Sequence, residues 1–384
     1  MAESASAQQA GSVAHRPSRM HLSSAPSGPM RERLPLTRED VTVIGGGPGS
    51  TSVITDKSGA SGLSDKESRA FGSATEKWPY TTARVAVEQL GTSTIIKNTP
   101  VSSRPYRLTG KLEMRFGTSW FVCTASLIKK SVLITAAHCV HDFGLGDPGF
   151  ADEVLWYPAN TSDPDTTAGG PFGKFTAIEW RVPSTYFDGT DTCEAGASGV
   201  VCNNDLATVV LAPRSGVTAQ TTLGSTYGYA WNGFSSIKSP VFGNATVSAI
   251  TQLGYPAAFD LGFQMQRTTS FGKTIIGTGS NGKVLKQTQL GSAQTGGSSG
   301  GPWLVNFGTR PVIDATEASL GSASLSNIVV GVTSWGFTAV GANVQGSSFF
   351  GQNAEFPLAA YGNKGAGNIG FMVNDTCVNN PTAC

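Results

Sequence analysis

A histidine and a serine, set in unlike surroundings, give this chain a route to nucleophilic chemistry. Leu133-Ile134-Thr135-Ala136-Ala137-His138-Cys139 puts the histidine directly after a β-branched apolar run, among small residues. Gly297-Ser298-Ser299-Gly300-Gly301-Pro302 puts the serine among glycines, where the backbone turns sharply and its N–H groups can face a ligand. A serine hydroxyl is a weak nucleophile at neutral pH and needs an adjacent base. His138 is the candidate base and Ser299 the candidate nucleophile. The other histidines are His15, His21 and His141. The first two fall in a low-complexity stretch, and His141 is expected at the surface.

The serine segment runs straight into Pro302-Trp303-Leu304-Val305, which reads as a buried strand and sets it apart from a Gly/Ser linker. Gly297-Ser298-Ser299-Gly300-Gly301 also fits the nucleophile elbow G-x-S-x-G, whose histidine follows the serine along the chain. No histidine follows His141, so that order fails. The order left is His138, an acid, then Ser299. The acid must be a buried carboxylate that orients the imidazole. Asp205 opens the apolar run 206–211 and is preferred, with a strand-capping turn as the plain alternative. Asp188 and Asp191 are rivals from a loop without an adjoining core strand.

The elements that must hold these groups are short. From about residue 100, apolar β-branched runs alternate with Gly, Asn, Asp and Pro clusters, as in 121–128, 132–135, 207–211, 245–250 and 327–333. This pattern predicts an all-β sandwich or barrel. No helix is expected near Asn374. Residues 1–95 are rich in Ser, Gly, Ala and Thr and carry the breaker Gly45-Gly46-Gly47-Pro48-Gly49-Ser50. They are expected to be a disordered tail or a removable pro-segment, as in a zymogen, dispensable to a folded unit over 96–384.

Only 14% of residues are charged, against ~25% in ordinary domains, and the net charge is +1. That balance gives no electrostatic case for nucleic acid or an anionic membrane. No apolar run approaches the ~20 residues of a membrane span. The six cysteines fall in three close pairs, Cys123 with Cys139, Cys193 with Cys202, and Cys377 with Cys384. Local disulfides and an oxidising compartment are expected, the alternative being a reduced cytosolic chain with buried thiols. The absence of C-x-x-C argues against zinc, and no metal or cofactor is expected. No apolar stretch follows Met1-Ala2-Glu3-Ser4, so the expectation is a secreted protein whose leader is absent from this sequence. A cytosolic protein is the alternative. Asn160, Asn244 and Asn374 each fit the glycosylation acceptor pattern.

Thr135-Ala136-Ala137-His138-Cys139, Asn204-Asp205-Leu206-Ala207 and Gly297-Ser298-Ser299-Gly300-Gly301-Pro302 resemble, in order, the signature segments of chymotrypsin-like serine peptidases. Cys123 and Cys139 match that family's disulfide across the histidine loop. The family's usual Asp before the nucleophile is Ser298 here, and Cys123-Thr124-Ala125-Ser126 and Leu253-Gly254-Tyr255-Pro256 look like the glutamyl-endopeptidase branch. The resemblance covers roughly residues 100–375. It implies two antiparallel six-stranded β-barrels with the active site in the cleft between them. It implies a triad of His138, Asp205 and Ser299, with the N–H groups of Gly297 and Ser299 as oxyanion hole. Ala293 and Gln294 fall at the primary specificity pocket, with Thr333 before the Ser334-Trp335-Gly336 strand that pairs with substrate backbone. With Ala293 for the trypsin Asp and Thr333 for a glutamate-binding His, an uncharged side chain is expected there, a glutamate reached by basic residues from other loops being the alternative. The implied partners are protein or peptide substrates, and the chain itself is expected to be a monomer. A catalytically silent binding module and an esterase are the competing functions.

Overall fold

Apolar runs of strand length, broken by turn residues, fold into β-strands that recur along the part of the chain that is described. The computed structural model describes residues 13–17, 79–85, 100–161, 170–196, 199–232, 237–239, 245–309, 325–336 and 343–384. Two short strands come first, β1 (Val13–Pro17) and β2 (Tyr80–Arg84). The first barrel then uses β3 (Thr109–Phe116), β4 (Ser119–Leu127), β5 (Val132–Thr135), β6 (Glu153–Pro158) and β7 (Phe175–Pro183). The hairpin of β8 (Cys193–Ala195) and β9 (Val200–Cys202) leads to its last strand, β10 (Ala207–Leu211). Strand order is β6–β3–β4–β5–β10–β7, and β7 pairs back onto β6, so six antiparallel strands close. Closure leaves no free edge within the ring.

Next come β11 (Gly228–Tyr229), β12 (Ile237–Ser239), β13 (Ala245–Gly254), β14 (Gln266–Thr278) and β15 (Val284–Gly291). The final strands are β16 (Pro302–Val305), β17 (Ile328–Gly336) and β18 (Val344–Phe349). Here β13–β16–β17–β18–β15–β14 closes on β13, again as six antiparallel strands. The fold is therefore the expected pair of six-stranded antiparallel barrels. Outside the rings, β1 adds to β7, β2 to β14 and β12 to β13.

The barrels are filled differently. Leu112, Met114, Val132, Ile134, Trp156, Trp180 and Val209 are buried in the first, each residue of this kind contributing about 1.5–3 kcal/mol. The second has a smaller apolar cluster of Ile250, Leu290, Trp303, Val305, Ile328 and Val330. It also buries Gln252, Thr268, Gln287, Thr333 and Gln345.

Against expectation, a helix spans Gly367–Asn379 and contains Asn374. Its two glycines and poor helix formers hide it from the sequence. Packing supplies what propensity lacks. Ile369, Met372, Val373 and Cys377 join the first barrel's core, and Thr376 Oγ1 lies 2.7 Å from Thr208 Oγ1. Arg181 of β7 pairs with Glu179 and with Asp375 of the helix. At Gly370 a Cβ would collide with the backbone of Gly365, so this approach excludes a side chain.

Cysteines join as 123–139, 193–202 and 377–384. Asn160 is buried and donates to the Phe263 carbonyl at 3.0 Å, which closes that acceptor site in the folded protein. Asn244 lies outside the described residues, and Asn374 is half-buried on the helix. The first 95 residues lie mostly outside the description too, apart from the paired strands β1 and β2. Among the described residues, no helix is long and apolar enough to cross a membrane.

The Cys123–Cys139 bridge joins residues 16 apart. A loop of about that length is worth about 3 kcal/mol on the chain-entropy model. The double variant Cys123→Ala/Cys139→Ala should lose stability of that order, read as a lower denaturant midpoint with an unchanged transition slope.

Candidate active site

β5 is buried throughout and delivers the chain to Ala136, after which Ala137–Cys139 form one 3-10 turn carrying His138. The disulfide ties the end of this turn to β4. Asp205 stands just before β10, which pairs with β5, so the two residues meet across neighbouring strands. The Asp205 carboxylate accepts the His138 backbone N–H at 2.9 Å and faces His138 Nδ1 at 2.7 Å. A carboxylate only accepts, so Nδ1 carries the proton and Nε2 keeps its lone pair. His138 Nε2 is buried and has no hydrogen-bond partner among the described residues. Burial pushes the Asp205 carboxyl up, but the His138 charge and hydrogen bonds from His138 and Ser334 outweigh it and hold the pKa below its ordinary value.

The Ser334 hydroxyl donates to Asp205 Oδ2 from β17 of the other barrel. Sequence had placed Ser334 only on the substrate strand. A second buried carboxylate, Asp191, accepts from Asn204 N–H at 2.9 Å and from Asn204 Nδ2 at 2.6 Å. Asn368 of the C-terminal helix donates to Asn204 Oδ1 at 3.0 Å. Asp191 thus fixes the residue beside Asp205 and does not touch His138. Burial and the Glu355 charge push its carboxyl up to about 8, against hydrogen bonds from Asn204 and Thr192. Asp188 only closes its own turn onto Thr190.

The loop before β16 carries Ser299. Gly297 and Gly300 sit at φ +91° and +76°, where side chains are strained. At Gly300 a Cβ would overlap Thr135 Oγ1 and the Thr124 carbonyl, and would sit 3.0 Å from Ala136 N. The loop therefore rests directly on the segment that leads to His138. Thr124 of β4 braces it twice, N–H to the Ser299 carbonyl at 2.7 Å and Oγ1 to the Gly297 carbonyl at 2.9 Å. Within the loop, Ser298 N–H goes to Thr295 O, Gly300 N–H to Thr333 O and Gly301 N–H to Ser298 O. The N–H groups of Gly297 and Ser299 find no acceptor among the described residues, nor does the Ser299 hydroxyl make a hydrogen bond among them. Two free donors beside a free hydroxyl suit an anion that forms on an attacked carbonyl.

Several side chains expected to face substrate are committed elsewhere. Thr333 Oγ1 receives Gln252 Nε2 at 2.8 Å and Trp303 Nε1 at 2.9 Å. Trp335 is buried and donates to Gln287 Oε1 at 2.9 Å, its ring lying over Gly346. Gly336 pairs with Gln345 in the sheet. Ala293 is half-buried, and Gln294 is buried with Nε2 on Thr268 Oγ1 at 3.1 Å and Oε1 unpartnered. None of these positions carries a charge.

His141 is also corrected. It is buried between Phe150 and Phe187, with Nε2 on the Gly146 carbonyl at 2.8 Å. The groups Cys123, His138, Cys139 and Asp191, Cys193, Cys202 cluster like ligands, but both contain disulfide sulfurs rather than thiolates.

No protein-family profile matches the chain, and no curated protein sequence matches it. Among solved structures, it is similar to a thermostable serine protease AL20 from an extremophilic microorganism, with 23% identity, TM-score 0.46, and coverage of 64% of this chain and 92% of that one. It is similar to the protease Anisep from Arthrobacter nicotinovorans at 20% identity and TM-score 0.45, covering 64% and 91%. A Glu endopeptidase matches at 16% identity and TM-score 0.42, covering 79% and 97%. The class that the chain's own strands define is the double six-stranded antiparallel β-barrel, with His138 and Asp205 on one barrel and Ser299 and Ser334 on the other.

Burial lowers the His141 pKa, with the Gly146 bond and the Asp147 charge opposing. The unfolded chain then takes up the proton first as pH falls. Stability from this group should be whole above the ordinary value of 6.5 and decline below it. His141→Phe should flatten that part of the stability–pH profile in denaturant titrations. His141→Ala should cost about 2–4 kcal/mol through the cavity it leaves.

Proposed function

We propose that the protein is a serine endopeptidase working through an acyl-enzyme. The supporting observation is the buried Asp205–His138 pair, its Nε2 lone pair unused, beside a serine loop with two unengaged N–H groups. Ser299 Oγ attacks the peptide carbonyl as His138 Nε2 takes its proton. The tetrahedral oxyanion is held by the N–H groups of Gly297 and Ser299. His138 returns the proton to the departing amine, leaving the acyl-enzyme. Water then attacks with the same base, and Ser299 leaves as the free hydroxyl. Asp205 holds the imidazole in the Nδ1–H tautomer and stabilises the imidazolium. The unbonded Oγ and Nε2 close on each other when substrate binds, as apo sites commonly do.

The residue before the scissile bond meets Ala293 and Gln294 and is uncharged, because a buried cation or anion there has no opposite charge to meet. Three disulfides favour action in an oxidising, extracellular setting.

Purified protein should react with a fluorophosphonate probe, with the label mapping to Ser299. Ser299→Ala and His138→Ala should each lower kcat on the order of 10⁶-fold without unfolding the barrels. Asp205→Asn should lower it about 10⁴-fold by favouring the wrong tautomer. Absence of labelling would leave a binding module, and hydrolysis of esters alone would leave an esterase. A peptide library should show cleavage after neutral residues. Dominant cleavage after Arg or Lys would refute the pocket assignment, and after Glu would show that a cation reaches it.

A further inference from the structure

β2 precedes the first barrel in the sequence, yet it is laid along the edge of the second. It pairs antiparallel with β14 over five residues, from Arg84 opposite Gln266 to Tyr80 opposite Ser270. Val85 N–H extends the ladder to the Met265 carbonyl at 2.8 Å, and Ser270 Oγ donates to the Pro79 carbonyl at 2.9 Å. Val85 is buried, and Arg84 pairs with Asp260. Both ends of the strand are therefore fastened.

Its period-2 alternation turns Tyr80 and Thr82 inward and Thr81 and Ala83 outward. Thr82 Oγ1 accepts the Ala293 N–H at 3.2 Å and lies 2.8 Å from Thr268 Oγ1. Thr268 Oγ1 in turn accepts from Gln294 Nε2 at 3.1 Å. One hydroxyl thus holds Ala293 directly and Gln294 at one remove. These are the two residues that the proposed function puts against the substrate side chain.

We infer that β2 is a built-in part of the specificity pocket and that Thr82 is its positioning residue. The inference rests on the peptidase reading. It makes residues 79–85 part of the working unit. Without the Thr82 hydroxyl the Ala293 N–H loses its acceptor, and the pocket floor is free to shift while the Asp205–His138 pair and the Ser299 loop keep all their own bonds.

The test uses full-length Thr82→Val, Thr82→Ser and, as an outward-facing control, Thr81→Val. Three quantities are read: the rate of fluorophosphonate labelling, the ratio of kcat/KM for the best and a glycine residue before the scissile bond, and hydrogen exchange at Ala293 N–H. Thr82→Val should label within about twofold of wild type but lose about tenfold in the ratio, mostly through KM, the size expected when the Ala293 N–H loses its acceptor and Thr268 its Thr82 partner. Ala293 should exchange faster. Thr82→Ser should restore both, and Thr81→Val should change neither. An unchanged ratio in Thr82→Val would overturn the inference, whatever the exchange shows. So would a Thr82→Ser variant as unselective as Thr82→Val. A wild-type chain that takes no label and cleaves nothing defeats the peptidase reading itself, an outcome distinct from a labelled, selective enzyme indifferent to Thr82.

Discussion

The Asp205 carboxylate is the constraint on which the rest depends. A buried charge without partners is costly enough to be expelled or neutralised. Asp205 stays because donors reach it from three directions: the His138 ring, the His138 backbone and the Ser334 hydroxyl. Two of those come from the first barrel and one from the second. The barrels therefore cannot slide apart without stripping the carboxylate of its Ser334 donor, and a charge–dipole bond sets their register as well as apolar packing does. The features around it serve the same end. The Cys123–Cys139 bridge fixes the turn behind His138, and the β8–β9 hairpin leads into Asn204, which Asp191 and Asn368 hold on either side.

The second barrel answers a different demand. Gln252, Gln345, Ser292 and Thr333 bond to one another behind the serine loop, and Gln345 Nε2 reaches the Gln294 carbonyl at 2.8 Å. Such a network is stable only when nearly all its members are satisfied. It fixes the loop with directional bonds where an apolar filling would only exclude water. The cost is versatility: Thr333, hydrogen-bonded inward by two donors, has little left to offer a substrate.

Sequence made the site's members legible where chemistry is written locally. His138 after a β-branched run, Asp205 at the mouth of another and Ser299 among glycines each carry their own context. Strand-length runs and turn residues pointed to an all-β sandwich or barrel, and the pair of six-stranded barrels was what the family resemblance implied. What sequence hid was long-range. Ser334 reaches an aspartate 129 positions away, and nothing near it signals that partner. His141 resembles a surface residue until Phe150 and Phe187 close over it. The Gly367–Asn379 helix violates propensity and exists through packing on β7 and β10. Thr82 sits in a stretch whose composition resembles that of a tail.

The position of that helix in the chain has a consequence for timing. Asn368 completes the socket of Asn204, next to the acid, and Asp375 completes that of Arg181. Both belong to a segment made after every barrel strand. During synthesis from the N-terminus, barrels can form as their strands emerge. The socket beside the acid must wait for the helix. A nascent or prematurely terminated chain would carry histidine, aspartate and serine in nearly native surroundings and still lack the brace beside them, so the surroundings of the Asp205–His138 pair are completed only by the last stretch of chain to be made.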